Sequence, residues 1–360
     1  MTKQCVFMVL MILALAAPIW AQQTESWPRP EGWPPVQPAV RMEGFGKEQL
    51  TKYTPLWKGE RFPDGRPKVP DSVIQEFKDL HLSSEEAAWG PLRIVHGYNH
   101  QWVGSGGENG EWKILNGEKG LVGRVFTCEF MPGRKEISDV IEGEAKAKGQ
   151  SGHNKRMMDM LLPGDVLVCD MAGGEGPEEV IAGDQLATAI FVRTGNGFVV
   201  NGGIRDQEGI EPQGYPVYMR RPHPGTFKDL MMTGINKPIR IGEVTIMPGD
   251  LVVGDREGIT FIPPHLAGDI IENARLYQLA DQWRMAEYKK AAGKIKPSDL
   301  YGQTQDMPPE LAKACHEFVN AALVKAGKQP ITRERWNVRG YSGSGCYPRG
   351  GLKGEQIKKL

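Results

Sequence analysis

Three side chains set out the chemistry open to this chain: Asp184 and, after twenty intervening residues, the adjacent pair Arg205 and Asp206. A guanidinium offers a planar fork of donors for a carboxylate, and carboxylate oxygens suit a hard divalent cation. Together they suit a metal-chelated, carboxylate-bearing small molecule, provided that the fold brings them to one place.

The elements between them decide that. Residues 165–170 read as a short apolar strand ending in an acid, and residues 171–176 as a glycine-rich turn that lets backbone approach a ligand. A helix follows: Gly183-Asp184 supplies a capping carboxylate, Leu186, Ala187, Ile190 and Phe191 an apolar face, and Gly195 and Gly197 the end. Residues 198–200 return as a strand and stop at a turn, Asn201-Gly202-Gly203, that delivers Arg205 and Asp206. A helix of about ten residues rises about 15 Å, and a return strand of four or five residues covers the same distance. Asp184 and the Arg205-Asp206 pair therefore fall at one sheet edge, beside the loop after Asp170. In α/β sheets that edge takes ligands, and a helix N-terminus there favours an anion. Plainer roles fit the same residues: Asp184 as an N-cap alone, Arg205 and Asp206 as a solvated turn pair.

The spacing D-x20-R-D resembles the signature of the RraA-like family, which includes class II 4-hydroxy-4-methyl-2-oxoglutarate aldolases. The flanking text agrees: Gly183-Asp184-Gln185-Leu186 is similar to the family's substrate-binding turn, and Asn201-Gly202-Gly203-Ile204-Arg205-Asp206 to its N-G-x-x-R-D. Further ordered matches are Gly214-Tyr215-Pro216-Val217-Tyr218, Pro248-Gly249-Asp250, Gly254-Asp255, Gly258 and Ile262-Pro263. Pattern reasoning stops at α/β. The resemblance implies a three-layer β/β/α swivelling-type domain, assembled as a homotrimer or hexamer with sites between subunits.

It also implies a reaction. Asp206 would be the ligand of Mg2+ or Mn2+, and Arg205 would hold the C1 carboxylate and C2 carbonyl of a small 2-oxo acid. Asp184 would orient Arg205 or a water in the ion's shell and relay a proton. Gly183, Gln185 and Leu186 would complete the substrate-binding turn. When a bond beyond C3 breaks, charge collects on the C2 oxygen as a pyruvate enolate, and metal and arginine stabilise it there. Decarboxylation of oxaloacetate needs only that sink, whereas retro-aldol cleavage also needs a base for the C4 hydroxyl. In the aldolases a glutamate from a neighbouring subunit is implicated; Glu272 and Glu287 are candidates here, and nothing in the spacing selects either. The family also contains proteins that bind and inhibit a ribonuclease, so a non-catalytic binding or regulatory role for a carboxylated ligand or protein partner stays open. No nucleotide-binding glycine fingerprint supports methyl transfer.

The rest of the chain frames this centre. Lys3, the apolar run 5–17 and Ala21 have the form of a secretory signal peptide, so residues 1–21 are expected to be removed and the protein to be periplasmic or secreted. No later stretch has the length of a membrane span. Residues 22–70, with Trp27-Pro28-Arg29-Pro30 and Trp33-Pro34-Pro35, read as an arm lying on the body or on a neighbouring subunit. Residues 71–275 form the RraA-like domain and 276–360 a helical extension with a Gly-rich, basic tail. Lys+Arg and Asp+Glu are both 44 in 360 residues, a balance that excludes an electrostatic case for nucleic acid. Residues 71–80 and, behind the capping-box spacing of Ser83 and Glu86, the next residues are helical; 121–130 is a strand and 136–148 a charged helix. Residues 242–253 read as a hairpin through Met247-Pro248-Gly249-Asp250, 260–262 as a last core strand, and 266–290 and 309–325 as helices, the first burying Ile270, Ile271, Ala274 and Tyr277. Cys128 and Cys169 are expected as buried thiols, and Cys315 with Cys346 as the pair to test for a disulfide. His96 and His100 have a metal-pair spacing, but Gly97 argues against the helix it needs. His223, between Arg220-Arg221 and Pro224, reads as part of a basic loop or as a second carboxylate contact, and Tyr215 and Tyr218 as core.

Overall fold

The computed structural model describes residues 45–332, apart from 89–91, 94–95, 99–100, 106–111, 173–179 and 301–306. The leader, the Trp-Pro motifs, residues 173–176 of the glycine-rich turn, His100, Cys346 and the basic tail lie outside the described residues. In chain order, helices α1 (Lys47–Tyr53), α2 (Asp71–Leu80) and α3 (Ser84–Ala87) lead to strands β1 (Trp102–Gly104), β2 (Lys113–Leu115) and β3 (Leu121–Pro132). There follow α4 (Lys135–Ala147), α5 (His153–Met160), β4 (Asp165–Met171), β5 (Val180–Ala182), α6 (Asp184–Thr194), β6 (Phe198–Ile204) and α7 (Gln207–Ile210). Then come β7 (Val217–Pro222), β8 (Leu230–Ile235), β9 (Ile239–Ile241), β10 (Val244–Ile246), β11 (Leu251–Gly254), β12 (Gly258–Ile262), α8 (Ala267–Ala291), α9 (Pro297–Leu300) and α10 (Pro309–Lys325).

The main sheet runs β1-β12-β11-β3-β4-β6-β7-β2, with β5 on β6 and β8 on β3. Its centre, β3-β4-β6-β7, is parallel, and the flanks are antiparallel. Both faces of the centre are covered, so both alternating sets of side chains are apolar. Phe126, Leu167, Cys169, Phe198, Val200, Val217 and Met219 pack against α5 and α6 through Met157, Met158, Ile190 and Phe191. The intervening Val125, Val166, Val168, Val199 and Tyr218 pack against the β9-β10 hairpin through Ile239, Ile241, Val244 and Ile246. Helix, sheet and hairpin are the three layers of the expected β/β/α arrangement. Each fully buried Phe or Leu contributes about 2 kcal/mol relative to exposure.

Local rules account for two element ends, one before the site and one near it. Ser83 and Glu86 form the reciprocal capping box, and Gly195, at φ 68°, ends α6. Cys128 and Cys169 lie opposite each other in the β3-β4 register as buried free thiols. α8 runs through residue 275 without a break and buries Ile270, Ile271 and Ala274 against α2; Tyr277 is half-buried. Its later turns pack with α10 around Trp283, Cys315 and Val319.

Two expectations are corrected. Residues 242–253 are not one hairpin: β10 pairs with β9, and β11 pairs with β3 and β12. The Pro248-Gly249-Asp250 turn instead carries the chain from one layer to the other, with Gly249 N–H bonded to the Val125 carbonyl at 2.9 Å. Asn201-Gly202-Gly203 is not a turn either but the buried second half of β6. A Cβ on Gly202 would come 2.7 Å from Sδ of Met171, so its glycine serves a close approach rather than a reversal.

Residues 45–69 are built into the body. Arg66 is fully buried, donating to Asp165 at 3.0 and 3.3 Å and to Asp64 at 2.9 Å, between the rings of Phe62 and Phe126. Asp64 also accepts from Asn236 at 2.9 Å. Pro67 fills the space where Gly249 would carry a side chain.

Asp250 gives this region a pH dependence. Burial pushes its carboxyl up to about 8, opposed by the Met247 N–H, which donates to it at 2.8 Å. An unfolded aspartate titrates near 4. Between about pH 4 and about 8 the native state thus keeps a proton that the unfolded chain has released, and stability falls as pH rises through that window. Asp250→Asn keeps the acceptor and removes the titration, so its melting temperature is expected to gain on the parent's between pH 5 and pH 8. Parallel curves for the two proteins would reject this account.

Candidate functional site

β5 and β6 run parallel, and their C-terminal ends meet at the start of α6. The Arg205 N–H donates to the Ala182 carbonyl at 3.2 Å, which seats the residue after β6 against the residue before Gly183. Gly183 is the N-cap of α6 and uses no side chain for it; Asp184 is the first helical residue rather than the cap. Its Oδ1 accepts from the Gln185 N–H at 2.7 Å. A Cβ on Gly183 would run into Oδ2 of Asp206 and lie 3.0 Å from Nε of Arg205, so the cap glycine is pressed against the ionic pair. Gly209 stands likewise against Asp184, whose Oδ2 would be 2.8 Å from a Cβ there. α6, α7 and the end of β6 thus bring Gly183, Asp184, Arg205 and Asp206 together. Gln185 is exposed, and the Leu186 side chain packs on the core beneath.

Asp206 caps α7 in the left-handed region, at φ 59° and ψ 41°, where an aspartate is tolerated at some cost in strain. Arg205 Nε donates to Asp206 Oδ2 at 3.2 Å, and Nη1 donates to the Gly225 carbonyl at 3.2 Å. The pair is neither buried nor free, with side-chain exposures of 39% and 47%. Such a position gives a ligand access while two anchors limit the guanidinium's rotamers.

Several contributors were not legible from local pattern. His223 Nδ1 accepts from the Gly225 N–H at 3.0 Å, and the His223 N–H donates to the Ile204 carbonyl at 3.0 Å. His223 therefore shapes the loop that holds Arg205. Behind the site, Arg220 Nε donates to Asn201 Oδ1 at 2.5 Å, and Asn201 Nδ2 donates to Asp170 Oδ1 at 2.7 Å. Asp170, the acid next to the end of β4, was the one local signal of this bridge. Tyr218 is core, with its hydroxyl donating to the Asp255 carbonyl at 2.7 Å, and Tyr215 stacks on Phe191. His96 lies 3.4 Å from Asp269.

Among the described residues, no group of three or more His, Cys, Asp or Glu side chains could hold a metal ion by itself. The donor set at this edge suits a different arrangement. It is oxygen-only, and Asp206 is accessible with one bond from Arg205, so ligand and solvent oxygens would complete the shell of a hard cation such as Mg2+.

A groove of about 960 Å3 lies at the opposite edge, lined by Gly195, Asn196 and Gly197 before β6 and by Pro216 before β7. It also carries Glu85, Glu86, Asp255, Glu257 and Asp281. Lys78, Lys119 and Arg256 also line it, but its carboxylates outnumber these cations, so its size alone does not make it the site of an anionic ligand. No helix among the described residues is long and apolar enough to cross a membrane.

A family model described as "RraA-like: Aldolase/RraA" matches residues 98–261, a span that contains Asp184, Arg205 and Asp206. A protein of Halalkalibacterium halodurans with the provisional name 4-hydroxy-4-methyl-2-oxoglutarate aldolase is 33% identical over 151 residues, which is 41% of this chain and 71% of that protein. A similarly named protein of Azotobacter vinelandii is 33% identical over 152 residues, 42% of this chain and 82% of its own. Among solved structures, Streptomyces coelicolor RraAS2, described as an unusual member of the RNase ES inhibitor RraA protein family, is 23% identical. It aligns with a TM-score of 0.47 over 62% of this chain and 100% of its own.

Proposed function

We propose, from the premise that this chain belongs to the RraA-like family of aldolase/RraA proteins, that it is a divalent-metal-dependent carbon–carbon lyase releasing pyruvate from a small 2-oxo acid. The observation that carries this reading is the packing of Gly183, the cap of α6, against the Arg205-Asp206 pair, with Asp184 next in the chain and set against Gly209 of α7. Asp206 would hold Mg2+ or Mn2+. When bound, the ion supplies a Lewis acid for the negative charge that collects on the C2 oxygen as the scissile bond breaks.

The chain's own residues do the rest. Arg205 keeps donors beyond those given to Asp206 and Gly225, and these would grip the C1 carboxylate and the C2 oxygen in one plane. The first turn of α6 adds the positive end of a helix dipole, and the Gln185 and Leu186 backbone belongs to that turn. The tie between Gln185 N–H and Asp184 Oδ1 fixes the carboxylate that would orient solvent and return a proton to the product carbon. Decarboxylation needs no further group. Aldol cleavage needs a base for the C4 hydroxyl, for which a neighbouring copy in a homotrimer or hexamer is the proposed source.

The test is pyruvate release from the purified protein offered oxaloacetate and 4-hydroxy-4-methyl-2-oxoglutarate, with Mg2+ and with chelator. Release that needs the metal and is lost in Asp206→Ala is the expected result, and the preferred substrate names the reaction. Absence of release from both would reject the lyase reading in favour of a binding role for a carboxylated ligand.

A further inference from the structure

We propose that Asn201, buried behind the site, and Arg220, half-buried beside it on β7, are positioning residues for the Arg205-Asp206 pair and not part of the site itself; this rests on that pair being the 2-oxo acid site. They act through a bulge in β6. Val200 pairs with Met219 and Gly203 with Arg221, so Asn201 and Gly202 together face Arg220 alone. Two residues opposite one bend a strand and redirect the side chains that follow.

Such a bulge needs something to hold it in register. Gly202 cannot do so, because Met171 occupies the space of any side chain there. The Asn201 side chain does. It is 1% exposed and bridges three neighbouring strands, accepting from Arg220 on β7 at 2.5 Å and donating to Asp170 on β4 at 2.7 Å. A cation at one end and a carboxylate at the other polarise the amide and strengthen both bonds. Arg220 is itself fixed by stacking 4.3 Å above the Trp112 ring.

β7 therefore grips the end of β6 twice: through Arg220 at the bulge, and through the His223 loop, whose Gly225 carbonyl accepts from Arg205. A slip of one residue in β6 would reverse the facing of every later side chain and carry Arg205 away from Gly225. The bridge blocks that slip.

Kinetics and binding test this together. Arg220→Met is expected to lower kcat for oxaloacetate with Mg2+ at 25 °C by about tenfold to a hundredfold, the effect of displacing reacting groups by about 1 Å. Affinity for oxalate, a planar dicarboxylate probe measured by calorimetry with Mg2+, falls with it. Arg220→Lys, which keeps a donor for Asn201 and a cation over Trp112, recovers most of both losses. A part confined to stability would lower the melting temperature and leave kcat and oxalate affinity at 25 °C unchanged, and that result overturns the proposal. Should Arg220→Met fail to fold, Asn201→Ser, too short to reach both partners, carries the same expectation and the same refutation. A parent protein that neither releases pyruvate nor binds oxalate removes the lyase reading, and the positioning role with it.

Discussion

Arg205→Lys is expected to lose on the order of a hundredfold to a thousandfold in kcat/KM for the proposed 2-oxo acid substrate, although the charge is kept. The guanidinium serves two fixed partners at once, Asp206 through Nε and the Gly225 carbonyl through Nη1, and in the proposed reaction would also present donors to substrate. An ammonium is a single point with rotatable donors and cannot hold those directions together. Its melting temperature is expected to change little, because the side chain is 39% exposed. Turnover equal to the parent's would remove Arg205 from the site. Gly183→Ala offers a companion in which both charged groups remain. Its backbone conformation admits alanine, and the atom its Cβ meets first is the far end of the Asp206 side chain, so the fold can yield while the carboxylate is displaced. Loss of metal-dependent turnover with an unchanged melting curve is the expected pattern.

Arg66→Met is expected to destabilise the protein by about 3–5 kcal/mol, because it leaves Asp165 buried and without its cation. Both side chains are almost fully enclosed, and Arg66 also satisfies Asp64. Burial alone pushes the Asp165 carboxyl up, and the Arg66 guanidinium opposes that shift. For a folded unit of this size the loss corresponds to a fall of about 10 °C in melting temperature, readable by differential scanning calorimetry. Asp165→Asn in the same background removes the stranded charge and is expected to restore part of the loss. A fall of less than about 2 °C in the single variant would mean that solvent or a rearranged carboxylate replaces the pair.

Much of the site was legible because helices and strands have fixed lengths per residue. The distance out along α6 and back along β6 is enough to put Asp184 beside Arg205 and Asp206. What was not legible depended on distant partners. Glycine is used for turns and for close approach alike, and only Met171, on another strand, shows that Gly202 serves the second purpose. The segment before β11 carries a turn signal, yet which strands its two arms join is decided by the separation into layers, not by the turn. Arg66 sits in a stretch whose prolines suggest an arm on the surface. Nothing near it in the chain announces that its charge is met by Asp165.

That pairing has a consequence for the order in which the molecule can be completed. Arg66 and Asp165 are 99 positions apart, and Asp64 and Asn236 are 172 apart. At a synthesis rate of about 5–20 residues per second, the first-made segment waits several seconds for Asp165 and longer for Asn236. Over that interval Phe62 and Arg66 have no pocket to enter, and the sheet centre, once formed, has an open base at Asp165. The earliest part of the folded body to be made therefore cannot be seated until β4, and then the residues around Asn236, have been made.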